Sequence, residues 1–138
     1  MPEILGAGHI ALTVRDMDAS TAWYERLLGW PVIRRSEAGE AGMPLRTLHD
    51  PRSSLAISFC QPSDRSGDTF DSRRTGLDHL AFRVDDEVEL DRWVERLDAL
   101  LIDRSPVRDA GRVRFVLFAD PDGIRLEFFV ALDSAGNA

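Results

Sequence analysis

Gly8-His9-Ile10-Ala11-Leu12-Thr13-Val14-Arg15-Asp16 returns 70 residues later as Asp78-His79-Leu80-Ala81-Phe82-Arg83-Val84-Asp85-Asp86. The match runs on into the next stretch, where Trp23, Glu25, Arg26 and Leu27 are answered by Trp93, Glu95, Arg96 and Leu97 at the same offset. Composition alone does not produce such a correspondence. The chain therefore reads as two copies of one supersecondary unit, each opened by a histidine, with a site expected where the copies meet.

Working outward from the repeat, Ile4 to Val14 alternates, with Ile10, Leu12 and Val14 on one face and His9, Ala11 and Thr13 on the other, as a half-buried strand does. A helix follows. Asp16 or Asp18 can cap its start, Ala19, Trp23 and Leu27 fall on one stripe, and Gly29 ends it. Strands are expected over 31–35, 45–49 and 54–60, separated by a Gly- and Pro-interrupted loop at 36–44 and a turn at Asp50-Pro51-Arg52-Ser53. The first unit is thus βαβββ. The second repeats it, with a strand over 77–84, a helix over 88–101 whose stripe is Leu90, Trp93 or Val94, Leu97 and Leu101, a short strand near 105–108, and a hairpin of 113–119 and 124–130 across Asp120-Pro121-Asp122-Gly123. We expect a single domain over 1–138 made of modules at about 4–61 and 76–131, joined by a polar linker 62–75 in which Phe70, Arg73 and Arg74 stand out, and a frayed, disordered tail at 132–138.

Composition narrows the function. A length of 138 residues with 43% hydrophobic and 30% charged residues is that of an ordinary soluble domain, and a net charge of −7 argues against nucleic acid or an anionic membrane as partner, leaving small molecules. All 17 basic residues are arginine, which excludes a lysine Schiff base and reads as the codon usage of a GC-rich, bacterial genome. Cys60 is the only cysteine and no signal peptide or bilayer-length apolar run is seen, so a cytoplasmic setting is expected.

Aligning the last strands of the two units, Leu55-Ala56-Ile57-Ser58-Phe59-Cys60 and Ile124-Arg125-Leu126-Glu127-Phe128-Phe129, sets Glu127 opposite Ser58. Four equivalent inward positions result: His9 and Ser58, His79 and Glu127. An imidazole on the non-packing face of a strand, twice at the same place, and a carboxylate between Leu126 and Phe128 are costly to bury without a cation or hydrogen-bond partners. Two His and one carboxylate with open positions suit one divalent metal ion, Fe(II) or Mn(II) first, with Zn(II) and Ni(II) as alternatives. The competing reading is a satisfied strand-end histidine and a solvated Glu127. Arg83 and Arg125 share the parity of the ligands, so they are placed to hold an anionic group or to pair with Glu127 and rim acids.

These stretches, together with Asp16-Met17-Asp18, Leu27-Leu28-Gly29 and Asp120-Pro121-Asp122-Gly123-Ile124-Arg125-Leu126-Glu127, resemble the vicinal oxygen chelate superfamily over Ile4 to Val130. That superfamily includes glyoxalase I, extradiol dioxygenases, methylmalonyl-CoA epimerase, fosfomycin-resistance thiol transferases and bleomycin-binding proteins. The resemblance implies an α+β fold in which two βαβββ modules form a paired, cup-shaped mixed sheet with the helices on the outer face, and a homodimer in which the units close within one chain or exchange across it. It makes His9, His79 and Glu127 the metal ligands, and places Ser58 where glyoxalase I and the epimerase carry a fourth ligand, Glu or Gln. Serine cannot serve as their base.

Three ligands with a neutral fourth position resemble the dioxygenase or thiol-transferase branches more closely. The expectation is a metal-dependent, dioxygenase-like enzyme acting on a small substrate with adjacent oxygens, in which His49 is the candidate proton carrier, Tyr24 packs on its helix, and Ser58, Arg83 and Arg125 face the substrate. The alternatives are a glyoxalase-like lyase or isomerase, a thiol transferase, or a bleomycin-resistance-type binding protein without chemistry.

Overall fold

The computed structural model describes residues 1–38, 43–64 and 67–132. Its elements are β1 His9–Thr13, α1 Met17–Leu28, β2 Val32–Ser36, β3 Leu45–His49, β4 Ala56–Cys60, β5 Leu80–Arg83, α2 Glu87–Ala99, β6 Arg108–Asp109, β7 Val113–Ala119 and β8 Arg125–Ala131. They fall into two units, Met1–Asp68 and Thr69–Ala138. Each is a βαβββ module with a four-stranded mixed sheet, ordered β1-β4-β3-β2 in the first and β5-β8-β7-β6 in the second, so the fold class is α+β as expected. Residues 39–42 of the expected loop, 65 and 66 of the expected linker, and 133–138 of the expected tail lie outside the described residues.

In the first unit β1 runs parallel to β4, and β4, β3 and β2 are antiparallel neighbours. The core lies between this sheet and α1: Leu12, Val14, Leu48, Ile57 and Phe59 from the sheet meet Met17, Tyr24, Leu27 and Leu28. Tyr24 is fully buried, its ring 4.8 Å from that of Phe59. Asp16 caps α1 by accepting the Ala19 N–H at 2.9 Å, and Gly29 stops it in the left-handed conformation at φ 69°. The buried stripe is Met17, Ser20, Thr21, Tyr24, Leu27 and Leu28, and not the expected one through Ala19, which is exposed. The polarity of Ser20 and Thr21 disguised it. Thr21 resolves its own burial by donating to the Met17 carbonyl at 2.6 Å.

The strand expected from Ile4 begins only at His9. Its partner β4 offers a ladder from Ala56 to Cys60, matched residue for residue by His9 to Thr13, and Gly6 at φ 147° interrupts the alternation before it. Ile4 and Leu5 are consequently exposed.

In the second unit β5 runs parallel to β8, which pairs antiparallel with β7, and β7 with the two-residue β6. Phe128 is the centre of the packing, with the Trp93 ring of α2 stacked at 4.4 Å and Phe118 at 5.0 Å. Asp86 caps α2, accepting from Glu89 N–H at 2.8 Å. The helix ends earlier than the periodicity suggests. Leu101 N–H donates to the Asp98 carbonyl and Ile102 N–H to the Leu97 carbonyl, each at 3.0 Å, with Leu101 at φ 56°; this is a Schellman stop with leucine in the glycine position. Leu101, expected on the apolar stripe, is therefore turned out and 92% exposed. The β7–β8 turn is held by Asp120, whose Oδ1 accepts the N–H groups of Asp122 and Ile124 at 2.8 and 2.9 Å. The end of the expected linker is attached here, Phe70 N–H donating to the Asp122 carbonyl at 3.0 Å.

Candidate metal centre

Glu127 lies on β8, between β5 and β7, with Leu126 and Phe128 pointing into the core on the other face. Its backbone partner on β5 is Ala81, so His79, two residues earlier on that chain, stands beside it at the entrance to the strand. The two side chains meet: His79 Nε2 is 3.8 Å from Glu127 Oε2. Two atoms each about 2.1 Å from a common ion are separated by at most about 4.2 Å, so this spacing is one that a single divalent cation can bridge. Burial pushes the Glu127 carboxyl above its ordinary value, and the neighbouring imidazole offsets only part of that. A carboxylate so placed gains from a cation.

The other ring nitrogen is also engaged. His79 Nδ1 lies 2.7 Å from Asp78 Oδ1, which holds the Asp78 carboxyl below the usual range, with Arg125 adding to the effect. Arg125 Nη1 is 3.8 Å from the other Asp78 oxygen and donates to Ser72 Oγ at 3.2 Å. The chain Ser72, Arg125, Asp78, His79, Glu127 thus runs through the second unit.

In the first unit the equivalent positions are in register. Ala11 pairs with Ser58 as Ala81 pairs with Glu127, and the expected equivalence of Ser58 and Glu127 is the backbone pairing of the structure. Ser58 Oγ is 2.9 Å from Thr47 Oγ1, a neutral pair of hydroxyls. His9 is exposed at the start of β1 and shares Ala56 as backbone partner with His49 at the end of β3. Backbone partners in a sheet present their side chains on one face, which sets His9 and His49 on the same row, about 9.5 Å apart at Cα. Tyr24 is on the core side of its helix, away from that face. Arg83 is exposed and pairs with Phe129 in the row beyond Glu127.

The structure therefore brings His79 and Glu127 together within one unit and gives His9 the corresponding place in the other. Among the described residues no three His, Cys, Asp or Glu side chains of one chain form a group that could hold a metal ion. Sequence reasoning missed Asp78, Thr47 and Ser72. The Asp-His dipeptide was a signal for the first; a hydroxyl on the neighbouring strand, as Thr47 is to Ser58, or in a polar segment, carries none.

A βαβββ repeat with a 1-4-3-2 strand order, and histidine and glutamate at matched register, is the vicinal oxygen chelate fold. A model of the glyoxalase/bleomycin resistance protein/dioxygenase superfamily matches residues 6–128, and the chain belongs to that superfamily. It is 34% identical over 127 residues to an uncharacterized protein, YwkD, of Bacillus subtilis (strain 168), covering 88% of this chain and 93% of that one. Among solved structures it is similar to a glyoxylase/bleomycin resistance protein/dioxygenase domain from Frankia sp. EAN1pec, with 31% identity, a TM-score of 0.84 and coverage of 94% of this chain and 99% of that one. It also shares its fold with the fosfomycin resistance protein FosX of Listeria monocytogenes, in a mutant form complexed with Mn(II) and 1S,2S-dihydroxypropylphosphonic acid, at 24% identity, a TM-score of 0.65 and coverage of 91% and 92%. Among the described residues no helix is long and apolar enough to cross a membrane.

Proposed function

We propose that the protein is a metal-dependent enzyme in which His79 and Glu127 of the second unit and His9 of the first hold one divalent ion, Fe(II) or Mn(II), and that it carries out a dioxygenase-like reaction on a small substrate bearing adjacent oxygens. The observation that supports this best is the matched register: Glu127 pairs with Ala81 where Ser58 pairs with Ala11, so the site has one carboxylate and a hydroxyl where a four-ligand site needs a second acid or amide. When bound, the ion supplies charge that polarises the substrate oxygens.

This chain's own residues do the rest. Ser58, backed by Thr47, offers a hydroxyl to substrate rather than a base. His49, on the row of His9, takes the substrate proton. Arg83, exposed beside Phe129, holds an anionic substituent. Arg125, held by Ser72 and Asp78, steadies the site from behind. β1 and β5, the strands associated with His9 and His79, are both terminal strands of their sheets, and strand edges call for a partner. We place His9 of one copy with His79 and Glu127 of a second in a homodimer. The unpaired Cys60 fits a reducing, cytoplasmic setting.

Metal analysis and oxygen uptake test this reading. The purified protein is expected to take up about one divalent ion per chain, and His79→Ala or Glu127→Ala to abolish uptake; Fe(II)-loaded protein is expected to consume oxygen with a member of a catechol panel. Full occupancy in either variant refutes the ligand assignment. Metal uptake without oxygen consumption, alongside thiol-dependent opening of an epoxide or hemithioacetal isomerisation, moves the reaction to another branch of the superfamily. Tight binding of a cationic drug by metal-free protein makes it a binding module.

A further inference from the structure

An imidazole at the mouth of a strand has two neutral tautomers and a ring that can turn, and only one arrangement presents a lone pair where a ligand is needed. The His79 side chain is 42% exposed, so packing does not settle the matter. What faces it does. The Asp78 carboxylate is 2.7 Å from Nδ1, and Nε2 is the nitrogen turned toward Glu127. The geometry assigns Asp78 as the positioning residue of His79: its carboxylate accepts the Nδ1–H, fixes the tautomer with the Nε2 lone pair toward Glu127, and is itself held by Arg125, which Ser72 anchors to the segment preceding β5.

An exposed ion pair contributes little to stability, because solvent screens it and two side chains lose freedom to make it. Asp78 is 63% exposed and Arg125 46%. The value of the network is therefore directional. Removing Asp78 leaves the fold intact and changes which ring nitrogen carries the proton. It also reaches further than a neighbour effect, since Phe70 and Ser72 fasten the same segment at two points, to Asp122 and to Arg125. A stretch whose composition reads as a plain linker ends as a brace behind a ligand. The tautomer assignment stands on the contacts of His79 with Asp78 and Glu127; only its consequence for affinity rests on the metal role proposed for His79.

The chain has only three histidines, so long-range 1H–15N correlation spectra of uniformly labelled, metal-free protein resolve each ring, with His9→Ala and His49→Ala giving the assignment. At about pH 8, where imidazoles are neutral, His79 is expected as the Nδ1–H tautomer in the parent and in Asp78→Asn, whose amide oxygen still accepts. In Asp78→Ala it shifts to a mixture dominated by Nε2–H, with the melting temperature unchanged. Mn(II) affinity is expected to fall about 10–100-fold in Asp78→Ala, less in Asp78→Asn, and less again in Arg125→Ala and Ser72→Ala. An Nε2–H tautomer in the parent, or an Asp78→Ala spectrum identical to it, overturns the assignment. Parent protein that binds no Mn(II) while the tautomer responds as expected refutes the metal reading and leaves the role of Asp78 standing.

Discussion

Glu127 stands on a central strand with 16% of its side chain exposed, and burial raises its carboxyl above the ordinary 4.5. In the folded, metal-free protein the group therefore binds its proton more tightly than in the unfolded chain. Between the unfolded and folded values the native state holds the extra proton, so stability falls as pH rises through that window and stays lower above it. Glu127→Gln is expected to make metal-free protein more stable than the parent at neutral pH, with the gap closing as the pH falls from the folded value toward about 4.5 and absent below it. Thermal melts across pH check this; a parent as stable as the variant at every pH refutes it. The meeting of His79 with Glu127 was legible because strand parity set both on one face, whereas for Asp78 the sequence held only the Asp-His dipeptide as a signal, since nothing in an alternating pattern says that a residue just outside the strand bends back onto its neighbour.

At the scale of elements the two helices end in the same left-handed turn, one on glycine and the other on leucine. α1 stops at Gly29 with φ 69°, α2 at Leu101 with φ 56°, and the second places a side chain in a conformation that costs an L-residue about 1 kcal/mol. Leu101 is solvated, so its removal forfeits no core contact. Leu101→Gly is expected to stabilise by about 1 kcal/mol, or about 3 °C in Tm, and Gly29→Ala to destabilise by about the same amount, because no heavy atom within 4 Å meets a Cβ there and the cost is backbone alone. Calorimetry giving both changes the same sign overturns this account. The caps and turns were readable from Asp16, Gly29 and Asp120-Pro121-Asp122-Gly123, whose chemistry acts locally. The α1 stripe was not, because Ser20 and Thr21 are buried despite their polarity, and the start of β1 was not, because β4 sets its length from the other side of the ladder.

For the whole molecule, the homodimer proposed above makes the metal site a shared property. Co-refolding His9→Ala with His79→Ala in equal amounts gives, in mixed dimers, one site lacking both histidines and one intact. Random pairing then restores about a quarter of the parent metal capacity, while each variant alone restores none. No recovery in the mixture, with mixed dimers confirmed by mass, shows instead that the site closes within one chain. The repeat announced two units and their matching histidines; whether a unit turns to its own sibling or to another copy depends on a segment between them that bears no periodic pattern. The net charge of −7 is unevenly divided but negative in both halves, so it gives no preference.

The register that sets Ser58 against Ala11 and Glu127 against Ala81 is also a record of descent. A duplicated module starts with the same residue at both places, and the two copies are then free to diverge. Here one copy bears an acid and the other a hydroxyl paired with Thr47, on backbones that pair in the same way. The scaffold thus keeps a second address for a carboxylate without using it. In this lineage a change of chemistry needs no new fold and no new loop, only a change of residue at a position the architecture already holds in place.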